Sequence, residues 1–391
     1  MNKELAAVQH VLAHGTNIND IYVKASFVGN KIKQQPYVNT NPDHLEIEKK
    51  TILHYAVAKK NYDLVKFLIK NGITIDRTNY QLHTPLHYAI DNNDYPTTKL
   101  LLDSKANPNK VDHSLVTATR FYSYPTVQIL MHAKCNIDEP DFSGNTSFHY
   151  GLLASITKKQ HNMMKILLHF KCNINTLNNT NISPLNIAVK LNAVKHINIL
   201  LSAKVQIDGW AFNCAVEKSS MQTIKTLIDA GAELNPEGDY PLKYAIARSQ
   251  ICTRLLIESK ADVNINNSLC KAPLYYTFKR PSTYATKYLI SKKADVNCLG
   301  YTGQPVLTYV VANGMYQYLD ILIDAKANIN AKTIKGGNTA LHYAYNNNDK
   351  NVIKTLLKAK ADPNIKNNSG QLPSVCQKQD EPVVKKKRLK K

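Results

Sequence analysis

The chain has 391 residues, is 43% hydrophobic and has a mean hydropathy of -0.33, with no run of about 18 apolar residues, so it can bury a core and offers no helix to span a bilayer. Formal net charge is +21; the last 14 residues hold seven Lys or Arg against two Asp or Glu, so they carry +5 and the remainder +16. Lysine outnumbers arginine 44 to 6, and because bidentate base readout favours the planar guanidinium, this excess argues against a sequence-specific DNA reader.

The N-terminal stretch MNKELAAVQHVLAHG is amphipathic and too polar for a secretory signal. The segment from Ala7 to Leu12 followed by Gly15-Thr16-Asn17-Ile18-Asn19 predicts a helix and its exit, a capping half-repeat over residues 1–19. Residues 20–50 are polar and turn-rich, and read as an insertion or long loop, with an ordered long finger as the alternative.

From Thr51 a short string recurs: TILHYA at 51–56, TPLHYA at 84–89 and TALHYA at 339–344. Its phase defines ten starts, at Thr51, Thr84, His113, Thr146, Ser183, Trp210, Tyr240, Ala272, Pro305 and Thr339, spaced 27 to 37 residues apart. A second string follows, as in LLLDSKANPN at 100–109 and LLIESKADVN at 255–264. Each unit predicts two helices. Thr84 suits an N-cap, Pro85 the first turn, and His87 can reach back to the threonine as in a capping box. Leu86 faces the core and Ala89 admits the neighbouring helix. Leu64, Phe67 and Leu68 give the second helix its apolar stripe.

The T-P-L-H-x-A string with a period near 33 resembles the ankyrin repeat, over residues 51–368. The resemblance implies an all-α solenoid of about ten helix-turn-helix units with short β-hairpin fingers, binding proteins through fingers and first helices. Residues 369–391 then hold a truncated repeat start, Gly370 to Val375, and a basic tail.

Departures from the repeat locate the candidate contacts. The junctions from Asn109 to His113, Asp208 to Trp210 and Asn235 to Tyr240 are too short for full fingers. Trp210, the only tryptophan, sits at one; it is either a binding residue or a filler of the space left by the missing finger. Arg77, Tyr80, Glu139, Asp141 and Phe142 are further candidate protein contacts. The position after the second helix, where an αL residue ends the helix, is lysine in eight of ten units: Lys105, Lys134, Lys171, Lys204, Lys260, Lys293, Lys326 and Lys360, with Gly72 and Gly231 in the others. This row is either a solvated helix-end series or a contact stripe for an acidic partner. Seven tyrosines at the motif's fifth place (55, 88, 150, 244, 276, 309 and 343) read as packing between repeats, and the motif histidines as capping groups rather than bases or metal ligands.

Seven cysteines without a CxxC pattern read as thiols of a reducing, cytosolic environment. Lys385, Lys386, Lys387, Arg388, Lys390 and Lys391 form a basic tail that resembles a nuclear import signal for an importin-like receptor, or a polyanion contact. Phosphate-loop, nucleophile-elbow, zinc-protease, dinucleotide and EF-hand motifs do not occur, so no catalytic residue, metal or cofactor is expected. The leading expectation is a non-enzymatic scaffold or adaptor. Long Lys/Asn/Ile-rich arrays resemble secreted effectors of intracellular bacteria, which implies a host protein as partner. The alternatives are a nuclear, chromatin- or polyanion-associated protein using the lysine row and tail, and a substrate-recruiting subunit of a larger enzyme.

Overall fold

The computed structural model describes residues 3–14, 17–28, 31–38, 51–110, 113–158, 161–236, 240–266, 272–278, 283–300 and 303–376. Its contacts separate two compact units, Met1–Gln206 and Ile207–Lys391. In the first unit, α1 (Lys3–Ala13) is followed by an antiparallel hairpin of β1 (Ile21–Val28) and β2 (Lys31–Val38), with Ile21 opposite Val38 and Val28 opposite Lys31. The insertion thus pairs as a long finger through 21–28 and 31–38, while 29–30 and 39–50 lie outside the described residues. Five helix pairs follow: α2 (Ile52–Ala58) with α3 (Tyr62–Lys70), α4 (Pro85–Asp91) with α5 (Tyr95–Asp103), α6 (Ser114–Arg120) with α7 (Tyr124–His132), α8 (Ser147–Thr157) with α9 (His161–His169), and α10 (Pro184–Lys190) with α11 (Val194–Ser202).

The second unit holds α12 (Gly209–Glu217) with α13 (Met221–Asp229), α14 (Pro241–Arg248) with α15 (Gln250–Glu258), α16 (Pro273–Thr277) with α17 (Tyr284–Ser291), α18 (Val306–Ala312) with α19 (Leu319–Asp324), and α20 (Ala340–Asn346) with α21 (Lys350–Lys358). A 3-10 turn at Pro373–Cys376 closes on α20. Within each unit the repeats stack side by side, α2 on α4 and α3 on α5 for example, and bury Leu86, Ala89, Ile90, Leu64 and Leu68 as the motif requires.

The capping boxes form at Thr51, Thr84, Thr146 and Thr339. Three of the rings also do something the motif alone does not announce. The Nδ1 of His149 accepts from the Thr146 N–H at 3.1 Å, which leaves Nε2 as the donor, and it bonds the Ile182 carbonyl in the next finger at 3.1 Å. His54 reaches the His83 carbonyl at 2.9 Å and His342 the Gln371 carbonyl at 3.1 Å. The motif tyrosines likewise fasten their own fingers: Tyr150 donates to Asp141 at 2.7 Å, and Asn79 donates to the Tyr88 hydroxyl at 3.0 Å.

Every second helix ends in one geometry. The residue in the lysine-row position has positive φ, from 60° at Lys134 and Lys171 to 86° at Gly231. The next residue returns its N–H to a leucine carbonyl one turn back, as Ala106 does to Leu101 at 2.9 Å and Cys135 to Leu130 at 3.2 Å, and is itself buried. This is the Schellman arrangement. An L residue there costs about 1 kcal/mol, and a cation at the helix C-terminus returns roughly 0.3–1 kcal/mol.

Three residues further on, an Asn or Asp side chain crosses to the neighbouring repeat. Asn109 Oδ1 accepts the Asn136 N–H at 2.7 Å while its Nδ2 donates to the Lys134 carbonyl at 3.2 Å. In the first unit the same acceptor role falls to Asn19 for Thr74, Asp76 for Asn107, Asp138 for Asn173 and Asn175 for Gln206. In the second it falls to Asn235 for Asp262, Asn264 for Asp295, Asn297 for Asn328 and Asn330 for Asp362. Asp208 occupies this phase but caps its own helix, accepting from Ala211 N–H at 2.7 Å. The sixth repeat therefore starts at Asp208 and not at Trp210, because a two-residue junction makes the ladder residue and the N-cap the same side chain.

Replacing Asn264 by Ala removes its bonds to the Asp295 N–H and the Lys293 carbonyl, and should cost about 1 kcal/mol in urea unfolding; Asn264→Asp should retain part of this. Burial lowers the pKa of His149 and His342 below 6.5, against the bonds from their Nε2 groups. As pH falls, the unfolded chain then takes up protons first, so stability is complete above pH 6.5 and declines below it. Unfolding of a His149→Gln, His342→Gln variant should show a flatter acid limb than the wild type between pH 7.5 and about 5.

Candidate protein-interaction surfaces

The fingers are built by their first residues. Asn79, Asp141, Asn178 and Asn367 accept backbone N–H groups two and four residues on, and a backbone bond closes each finger, as Asp141 N–H to Asn145 O at 2.9 Å. Near each tip one residue has positive φ. It is Gly144, Gly303 and Gly337 where a Cβ would strike Asn179, Ile334 or Asn368 of the following repeat. In the second repeat that residue is Leu82, with φ of 63° and 73% exposure. The junction that follows it, from Asn109 to His113, is a short one.

This explains how a leucine fits there sterically, but not why an apolar side chain is kept in solvent. Tyr80 shares the tip at 56% exposure, Leu177 is exposed two repeats after the short junction, and Phe142 is 93% exposed with one edge against the His113 ring, centroids 4.9 Å apart. The sequence singled out Tyr80 and Phe142. Leu82 and Leu177 were missed; for Leu82 the signal available was a leucine at the finger position held elsewhere by Gly144, Asn181, Gly303 and Gly370.

The other finger candidates have structural work. Arg77 donates to the Asn19 carbonyl at 2.8 Å, joining the N-terminal half-repeat to the first full one. Asp141 accepts from Ser143 N–H, Asn145 N–H and Tyr150. Glu139 is half-buried and, after burial itself, helps push the Cys135 thiol up to about 12.

In the second unit, Trp210 lies in the first turn of α12, 45% exposed, on a groove of about 460 Å³ with Gly209, Asn213, Cys214, Pro236 and Tyr244. It lines open space instead of filling it. Glu217, at the rim, pairs with Arg248 at 2.8 Å. All eight row lysines are exposed, and the tail lies outside the described residues.

Groups suited to chemistry are held in the core. Ser155 Oγ lies 3.0 Å from His196 Nε2, but Ser155 is only 2% exposed, so the pair braces α8 against α11. Burial also raises Cys172 and Cys298 to about 12, which keeps these thiols protonated. Among the described residues no group of three or more His, Cys, Asp or Glu is placed to hold a metal, and no helix is long and apolar enough to cross a membrane.

The ankyrin-repeats family model matches residues 2–112 and 274–367, in three copies. The chain belongs to the ankyrin-repeat family. The first match begins within the N-terminal half-repeat, whose Val8 is buried and whose Asn19 enters the ladder. Among solved structures, the chain is similar to the ankyrin repeat domain of Bcl-3, described as a unique member of the IkappaB protein family, at 22% identity over 51% of this chain and 95% of that one, with a TM-score of 0.46. Ankyrin repeats are protein–protein interaction modules.

Asp141→Ala should lower stability by about 1–3 kcal/mol through unpaired finger donors, whereas Phe142→Ala should change it by less than about 0.5 kcal/mol, since the ring is almost wholly in solvent; urea titrations separate the two. Trp210 fluorescence in the native protein should be quenched by acrylamide, and by a quencher attached to Cys214, one turn along α12 on the same groove.

Proposed function

We propose that this ankyrin-repeat protein is a non-enzymatic scaffold that grips a protein partner with the apolar fingertips of its first unit and, separately, with the Trp210 groove of its second. Phe142 carries the reading. A phenylalanine 93% in solvent, on a finger fixed by Asp141, Tyr150 and the Asn179–Phe142 bond at 3.0 Å, contributes almost nothing to the fold and is pre-organised for an interface. Leu82 supports it, because its positive φ keeps a large apolar group exposed at a backbone cost. The resemblance of the array to effectors of intracellular bacteria makes a host protein in a reducing cytosol the partner to seek. The tail, residues 385–391, is proposed as an import signal acting independently of both surfaces.

Affinity capture from host lysate should use the full chain, Phe142→Ala with Leu82→Gly, Trp210→Ala, and a chain lacking 382–391. The fingertip variant should lose the principal partner, by about tenfold or more per pair of hot-spot residues, with unchanged unfolding. An identical set of captured proteins for the full chain and both surface variants would reject the reading. Deleting 385–391 should abolish nuclear accumulation of a fluorescent fusion; unchanged distribution would reject the import role alone.

A further inference from the structure

The lysine row can be tested against a control built into the same molecule. First helices also end on positive-φ residues: Lys60, Asn93, Tyr122, Asn192, Ser219, Gly314 and Asn348. The backbone is alike, most of these residues are exposed, and a cation at a helix end gains the same advantage. Yet these seven hold one lysine, while the ten second-helix ends hold eight lysines, two glycines and no asparagine. Lysine is about one residue in nine of this chain, so composition predicts about one in ten. Backbone geometry, helix electrostatics and composition therefore do not account for lysine there.

In the first unit the solvent side of the second helices is strongly basic. Over α5, α7, α9 and α11 and their terminal turns stand Lys99, Lys105, Lys134, Lys165, Lys171, Lys195 and Lys204 against two acidic residues, Asp103 and Asp94, the latter engaged as the N-cap of α5 by the Thr97 N–H. The ladder carboxylates Asp76 and Asp138 are engaged by backbone N–H groups. Between α7 and α9 lies a groove of about 430 Å³ whose lining includes Tyr124, His132, Lys165, Ile166, His169 and Phe170 and contains no carboxylate. His132 and His169 both stand at nearly right angles to Phe170, with ring centroids 5.4 and 5.3 Å away. The row lacks the guanidinium that grips phosphate bidentately.

We infer that this second-helix face of the first unit binds an acidic polypeptide segment, its carboxylates along Lys105, Lys134, Lys171 and Lys204 and one apolar side chain in the α7–α9 groove. The surface is distinct from the fingertips, so its partner is a second contact. Glycine is the less strained residue at positive φ, which makes Lys→Gly a charge removal that does not threaten the fold.

Fluorescence anisotropy should follow a 20-residue polyglutamate with one central Phe, and a 20-base-pair DNA duplex, on the full chain. The peptide should bind with an affinity that falls as salt rises. Lys105→Gly, Lys134→Gly, Lys171→Gly and Lys204→Gly together should weaken it about tenfold or more, as four exposed ion pairs are lost, with the melting temperature unchanged or raised. The charge-matched control Lys59→Gln, Lys110→Gln, Lys158→Gln and Lys190→Gln should weaken it by about twofold or less. Phe170→Ala should erase the preference for the Phe-bearing peptide over plain polyglutamate. Equal weakening by control and row variants would reduce the effect to net charge and overturn the inference. So would absence of peptide binding, or tighter binding of the duplex through the same four lysines, which would assign the face to nucleic acid.

Discussion

The interaction on which each unit depends is the side chain that leaves one repeat to hold the backbone of the next. A two-helix repeat buries too little surface to fold alone, and its exit turn leaves N–H groups facing water or a neighbour. Asn109 answers both needs by accepting from Asn136 N–H and donating to the Lys134 carbonyl, so the turn that ends α7 is completed by the repeat before it. His149 works in the same direction at the other end of the repeat, through the Ile182 carbonyl of the next finger. Apolar packing gives the stack its cohesion; these bonds fix its register.

Backbone-directed bonding also determines what the surface is free to do. Because Asn, Asp and motif His side chains satisfy the turns and fingers, the residues beside them need no structural role. Phe142 stands in solvent on a finger that Asp141 has already ordered, and Leu82 occupies a position that glycine would fill with less strain. The lysine row follows the same logic at the second-helix ends. Its backbone is secured by the Schellman bonds and the ladder, leaving each ammonium to solvent or to a ligand.

Much of this was legible in the sequence. The Thr84–His87 spacing gave the helix start and its capping box, and the position of Lys105 after an apolar helix gave the left-handed terminus, because both depend on residues close in the chain. What escaped was contact between repeats. Nothing local to Asn109 says that its partner is Asn136, and the recurrent D/N-x-N string reads as a simple turn until a neighbour is placed beside it. The same blindness hid the internal roles of Arg77 and Asp141, one securing Asn19 and the other the finger. The start at Trp210 slipped by two residues because a shortened junction merged two roles in Asp208. Trp210 itself was legible as unusual, but only the open groove distinguishes a lining residue from a filler.

Native-state hydrogen exchange of the ladder amides tests the account most directly. The N–H groups of Thr74, Asn107, Asn136, Asn173, Gln206, Asp262, Asp295, Asn328 and Asp362 lie in exposed turns, and each points at a neighbouring repeat's side chain. They should exchange as slowly as amides inside the adjoining helices, opening only when neighbouring repeats separate. Exchange at the rate of unstructured turns, with the helices still protected, would contradict the ladder as the element that sets the register.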